Sequence, residues 1–203
     1  MWDKVKKIDN DLDYLKQISS DVILPDEELE NDILLLKEFS KETGCLAMAA
    51  VQLGIPKRLI YVRNTNLDDL ENRSLDEEVV LINPKIINMT GHVRYWEACA
   101  SCLDNMGLVD RPYQIEVEYY NGIGEKLIRT FTDFEAVVFA HEYDHLDGIL
   151  HMDRAIQIYN LPQDKRKEFR EILPNHGYEI ISKNGEFKYK EIDDNKILLR
   201  SML

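Results

Sequence analysis

The sequence predicts an α+β fold: mixed or antiparallel β-sheets packed around a central helix that carries an H-E-x-x-H metal-binding signature. An N-terminal helix precedes this core, and a C-terminal helix plus β-hairpin follow it. Three observations lead there. The strand-like runs Val79–Asn83, Ile86–Met89, His92–Ala98, Gln114–Tyr120 and Lys126–Phe131 largely precede the helix instead of alternating with helices. The pattern Thr132-Asp133-Phe134-Glu135 reads as a capping box opening the apolar run Phe134, Val137, Val138, Phe139, and Gly148 supplies a stop. Between these limits stands His141-Glu142-Tyr143-Asp144-His145.

Taken in order, residues 1–25 read as a short helix and a polar connector. Pro25-Asp26 opens a strong helix with Leu29, Ile33, Leu36 and Phe39 at helical spacing, ending near Gly44. Cys45 to Gly54 is a compact stretch of small residues, and Arg58–Arg63 is β-rich. Thr65–Glu78 is polar and acidic, the character of a surface loop. Beyond the signature helix, Leu161–Leu173 reads as a further helix. Tyr178–Lys190 reads as a β-hairpin around Asn184-Gly185, a pair that tolerates the left-handed conformations of a tight turn. No internal repeat or low-complexity tract interrupts the chain, and 203 residues with 44% hydrophobic content suit one domain spanning 1–203.

A net charge of −13 disfavours broad binding to nucleic acid or anionic membrane, which needs clustered positive charge. The one basic cluster, Lys165-Arg166-Lys167 with Arg170, reads as the solvated face of a helix. No apolar run is long enough to span a bilayer, and the N-terminus lacks the apolar core of a signal peptide, so the expected address is cytoplasmic. In that compartment Cys45, Cys99 and Cys102 are expected as thiols, one of them a metal ligand.

Two imidazoles four residues apart lie on one helix face and reach one metal ion, with Glu142 between them placed to act on water. A catalytic site needs a third protein ligand and an open position. Two residues compete for it. His151 completes the metzincin-like spacing His141-x-x-x-His145-x-x-Gly148-x-x-His151, which would make a metalloprotease. That class also needs a methionine below the metal, and Met152 is too close while Met202 lies at the chain's end. Cys99, in Glu97-Ala98-Cys99-Ala100-Ser101, is the other candidate.

Three blocks carry a resemblance that favours Cys99: His141 to Gly148 continued by Met152-Asp153-Arg154, Glu97 to Ser101, and Ala47-Met48-Ala49-Ala50-Val51-Gln52-Leu53-Gly54. Together, across roughly residues 45–154, they resemble the peptide deformylases. Residues 155–203 would then be a C-terminal extension. The resemblance implies Cys99, His141 and His145 as ligands of a divalent metal, Fe2+ foremost, with Zn2+, Ni2+ or Co2+ as substitutes. It implies hydrolysis of the N-formyl group of formyl-methionyl nascent peptides, with metal-bound hydroxide as nucleophile and Glu142 as general acid/base. Gln52 and the Ala100 N–H would stabilise the oxyanion, while Ala47, Met48, Tyr95, Phe134, Val137 and Val138 would line the substrate pocket. Transient ribosome association, through the basic cluster, would accompany that role. The chain departs from the family at Ala47 and Ala98, where the motifs carry glycine, and at Val51 and Ala100. Methyl groups at 47 and 98 would narrow the groove or ask for positive φ, which motivates a non-catalytic metal-binding homologue as a further alternative. Glu97 and Arg111 are expected as an ion pair beside the site, with Asp144 assisting. Cys102 could pair with Cys99 in a knuckle or redox pair, whereas Cys45, His92, His151 and His176 read as structural or surface residues.

Overall fold

The structure, a computed structural model, describes residues 1–63 and 78–192. The expected loop Thr65–Glu78 and the methionine at 202 fall almost wholly outside them. Helices and antiparallel strands are mixed: α1 (Ile8–Leu15) and α2 (Leu29–Thr43) precede β1 (Ala47–Ala49) and β2 (Leu59–Val62). Then come β3 (Val79–Cys99), β4 (Cys102–Arg111), β5 (Gln114–Tyr120) and β6 (Lys126–Thr132). The chain continues through α3 (Phe134–Leu146), α4 (His151–Arg154), β7 (Gln157–Asn160), α5 (Arg166–Glu171) and β8 (Tyr178–Glu186). α2 ends as expected at Gly44, whose φ of 74° closes the helix with a left-handed residue. Among the described residues no helix is long and apolar enough to cross a membrane.

The spine is β3. Three runs expected as separate strands form one, because the chain passes Asn83-Pro84 without turning back. Asn83 takes φ 49° and is tied to the Val22 backbone by accepting its N–H (2.7 Å) and donating to its carbonyl (2.9 Å). Pro84, which has no N–H to give, falls in a register shift between Ile82 and Lys85. The first part of β3 pairs with β2 and β5, and its last part with β4 and β8. β4 in turn pairs with β7, β2 with β1, and β5 with β6.

The expected C-terminal hairpin is absent. Tyr178–Glu186 runs as one strand along β3, with Gly185 at φ 97° and irregular register near His92. Sheet pairing along an available edge displaces the local turn. The expected helix Leu161–Leu173 is broken as well, into a 3₁₀ turn Gln163–Lys165, the short α5 and a further 3₁₀ turn Pro174–Gly177.

Helix α3 is apolar on nearly every side, the mark of an interior helix. Ala136, Phe139 and Ala140 pack on the sheet residues Ile60, Leu81, Ile115 and Phe131, with the Phe131 and Phe139 rings stacked at 4.6 Å. Its N-terminus is not a capping box. Asp133 has φ 63° and makes no side-chain cap; its carboxylate instead accepts the Tyr178 hydroxyl, and Glu135 is drawn to Arg129. Past the far end, Gly148 has φ 68°, and a Cβ there would come within 2.2 Å of the Lys16 carbonyl oxygen. Only glycine lets the N-terminal segment pass so close.

Candidate metal centre and substrate cleft

A hairpin, a 3₁₀ turn and the interior helix meet at the site. Ala100-Ser101 form the tip between β3 and β4, with Cys99 and Cys102 facing each other across the ladder. The tip is held from outside the hairpin by the Ile8 N–H, which donates to the Ser101 carbonyl at 3.1 Å. Cys99 Sγ lies 3.2 Å from His145 Nε2 and accepts the Ser101 N–H at 3.4 Å. One ligand atom from each of Cys99, His141 and His145 falls within 4.8 Å of the others, all three residues being buried. The helical i, i+4 spacing of the histidines and the hairpin position of the cysteine produce this convergence. A thiolate and two imidazoles suit a borderline-soft divalent cation. Contact with Cys102 and burial push the Cys99 thiol up, but the facing His145 and His141 outweigh them and leave it lower than an ordinary cysteine. The residues therefore fit a metal.

His141 and the acid that follows it are oriented by neighbours. Glu97 Oε2 lies 2.8 Å from His141 Nδ1. The carboxylate can only accept, so Nδ1 carries the proton and Nε2 is left for a metal. Arg111, fully buried, grips Glu97 with Nε to Oε1 at 2.7 Å and Nη2 to Oε2 at 2.9 Å, and also donates to Asp144. Asp144 is clasped from its other side by Arg154 at 2.6 and 2.7 Å. Burial would raise the Glu97 carboxyl, yet the guanidinium holds it well below the usual carboxylate range. The expected Glu97–Arg111 pair is thus part of a buried chain of alternating charges, with Arg154 as a member that sequence reasoning did not place.

Glu142 Oε2 accepts the Ala49 N–H at 2.8 Å, and burial pushes its carboxyl up to about 7. The same N–H reaches Gln52 Oε1 at 3.1 Å. That fixes the Gln52 amide so that Nε2 donates towards Cys99 Sγ (3.4 Å) and Ser101 Oγ (3.3 Å).

These groups line one side of a cleft of about 290 Å³. Its walls contain Ala47, Met48, Gln52, Tyr95, Cys99, Ala100, Phe134, Val137, Val138, His141 and Glu142, so every expected pocket and oxyanion residue faces one space. His145 lies behind Cys99 and outside the lining. Ala98 also lines the cleft, and neither Ala47 nor Ala98 has positive φ. Of the two expected consequences of losing glycine there, only the narrower groove remains.

The basic cluster needs correction. Lys165 and Lys167 are solvated, but Arg166 and Arg170 turn inward to the cleft rim. Arg166 donates to the carbonyls of Cys102 (3.0 Å) and Leu103, and Arg170 to that of Trp96 (3.3 Å) while lying over the Tyr95 ring. Short helix α5 presents them because Arg166, Phe169 and Arg170 share one face, which Phe169 anchors against Trp96. The reading of His151 as third ligand is likewise set aside: among the described residues, the donor group that holds both signature histidines takes Cys99.

Comparison with known proteins agrees with this geometry. The family model for polypeptide deformylase matches residues 2–160. Peptide deformylase 2 of Nostoc sp. is 36% identical over 140 residues, 68% of this chain and 76% of that protein. Peptide deformylase 2 of Clostridium perfringens is 34% identical over 135 residues, 66% of this chain and 82% of that protein. Among solved structures, the Met-Ala-Ser-bound class I type b peptide deformylase from Acinetobacter baumannii superposes with a TM-score of 0.65 at 29% identity. That match covers 74% of this chain and 96% of the other.

Proposed function

The chain belongs to the polypeptide deformylase family, an enzyme family that removes the N-formyl group from nascent peptides, and from that premise we propose how its own residues divide the work. Cys99, His141 and His145 hold the metal, Fe2+ foremost, with zinc, nickel or cobalt able to replace it because affinity order alone does not select among them. When bound, the cation supplies Lewis acidity and makes water a competent nucleophile at neutral pH. The convergence of the three buried donor atoms beside Glu142 carries this reading. Replacing Cys99 or His141 by alanine is expected to leave protein that folds but no longer retains the catalytic metal on gel filtration. Full metal content in both variants would contradict the ligand assignment.

Glu142 Oε2 is engaged by the Ala49 N–H, so Oε1 takes the proton of the attacking water and later delivers it to the amine nitrogen of the departing peptide. Gln52 Nε2 and the Ala100 N–H face the charge that develops on the formyl oxygen. The methionine side chain enters between Met48, Tyr95, Phe134, Val137 and Val138, where apolar walls exclude water. Gln52→Leu is expected to lower kcat by about 10²–10³, the usual loss for one oxyanion donor, with metal content unchanged. A loss below about threefold would remove Gln52 from that role.

The reading extends to a cytoplasmic setting and to transient ribosome association through the exposed Lys165 and Lys167. Charge reversal at both lysines is expected to reduce co-sedimentation with ribosomes. Unchanged co-sedimentation would dismiss that part of the proposal.

A further inference from the structure

Behind Cys99, on the side away from the cleft, lies a second set of donors that deformylation does not use. Cys102 is the cross-strand partner of Cys99 and is fully buried. His151, the first residue of α4, is 1% exposed, and neither of its ring nitrogens has a hydrogen-bond partner. One ligand atom each from Cys99, Cys102 and His151 falls within 4.8 Å of the others.

The surroundings make this placement costly without a ligand. Leu15 and Leu150 pack around the two cysteines, with Met152 and Ile8 beside them. A neutral imidazole carries one N–H donor and one lone pair, and leaving both unpaired in such a pocket opposes folding. An apolar side chain would fill the space without that penalty. The facing strand also leaves room for the ring: at Gly107, a Cβ would meet His151 Cδ2 at 3.1 Å. The His151 ring is near the catalytic group, 5.7 Å from the His141 ring between centroids.

We propose that Cys99, Cys102 and His151 form a second cation site, which takes a soft divalent ion of the zinc class and shares the Cys99 thiolate with the catalytic set. Thiolate and imidazole donors select zinc or cobalt over magnesium or calcium. The Cys102 thiol gives up its proton on binding, as metal-bound cysteines do, and the imidazole lone pair gains the partner it lacks. The carboxylates of Glu97 and Asp144 are already matched by Arg111 and Arg154. The two thiolates and Glu142 therefore remain to offset at most three of the four positive charges that two divalent ions bring. The site shares one ligand with the catalytic set but stands on Cys102 and His151, so each assignment can fail alone.

Cobalt(II) titration of the reduced, metal-free full-length protein under anaerobic conditions tests it, with bound metal counted after gel filtration. Wild type is expected to bind two equivalents and to gain thiolate-to-cobalt charge-transfer absorption with each. Cys102→Val and His151→Phe, both apolar replacements in an apolar pocket, should each bind one equivalent and keep the first. His141→Ala should lose the catalytic equivalent and keep the second. One equivalent in wild type, or two in wild type that persist in Cys102→Val and His151→Phe, overturns the proposal. X-ray absorption on zinc-saturated wild type is independent of how the variants fold. More than one sulphur neighbour per zinc at about 2.3 Å is expected, and a single sulphur per zinc overturns the shared-thiolate site.

Discussion

Glu142→Ala is expected to lower the rate of formate release by about 10²–10⁴, the usual contribution of a positioned general acid/base, while leaving bound metal in place. The carboxyl stands next to His141, a proposed ligand, in sequence, yet its own contact is the Ala49 N–H. Burial brings it to about 7, where at neutral pH it can both accept a proton from water and return it to an amine. An ordinary exposed glutamate, titrating near 4.3, would be a poorer donor in the second half of the reaction. Parallel measurement of kcat and metal content separates the two roles. Retained turnover would remove Glu142 from proton transfer, and lost metal would make it a structural support of the centre.

The largest expected effect on stability is at Arg111. Its guanidinium is wholly buried and faces two buried carboxylates, Glu97 and Asp144. In Arg111→Met, Asp144 keeps Arg154, but Glu97 is left with His141 alone. Removing one partner from a buried pair costs about 3–5 kcal/mol, because the remaining charge is neither solvated nor matched. The effect has a defined pH sense. Glu97 is depressed in the folded state, so its contribution is present above the unfolded carboxyl pKa and is lost as pH falls through the lower folded value. The variant should therefore differ most from wild type near neutrality and converge with it in acid. Urea unfolding across that range measures this, and a difference below about 1 kcal/mol at pH 7 would contradict it. Metal affinity should also fall, by about 10–100-fold, because Glu97, which fixes the His141 ring, loses the guanidinium that holds it in place.

The features legible in the sequence were those set by local periodicity. His141 and His145 share a face because a helix has 3.6 residues per turn, and Gln114–Tyr120 alternates cleanly enough that its limits coincide with the strand observed. Gly44 and Gly148 were readable as stops because left-handed backbone favours glycine. Cys99 could be placed only through family resemblance, since nothing local draws a hairpin cysteine to a helix far along the chain. Other features depended on tertiary partners. The capping-box letters were present, but Tyr178 and Arg129 compete for the two carboxylates. Asn83-Pro84 looked like a break, and Val22 holds it within a strand. Arg166 and Arg170 looked like solvated charge because the hairpin carbonyls that receive them lie elsewhere in sequence. The sequence offers His151 as a third ligand beside His141 and His145, and Cys102 as a partner of Cys99, but the proximity of Cys102 to His151 arises only when α4 packs against β4.

Formate release from formyl-Met-Ala-Ser by the iron-loaded protein, assayed anaerobically beside the Glu142→Ala variant, tests the central claim most directly. The arrangement of Cys99, His141, His145, Glu142 and Gln52 predicts turnover by wild type that falls by at least about 10² in the variant. Stoichiometric iron without formate release would contradict it.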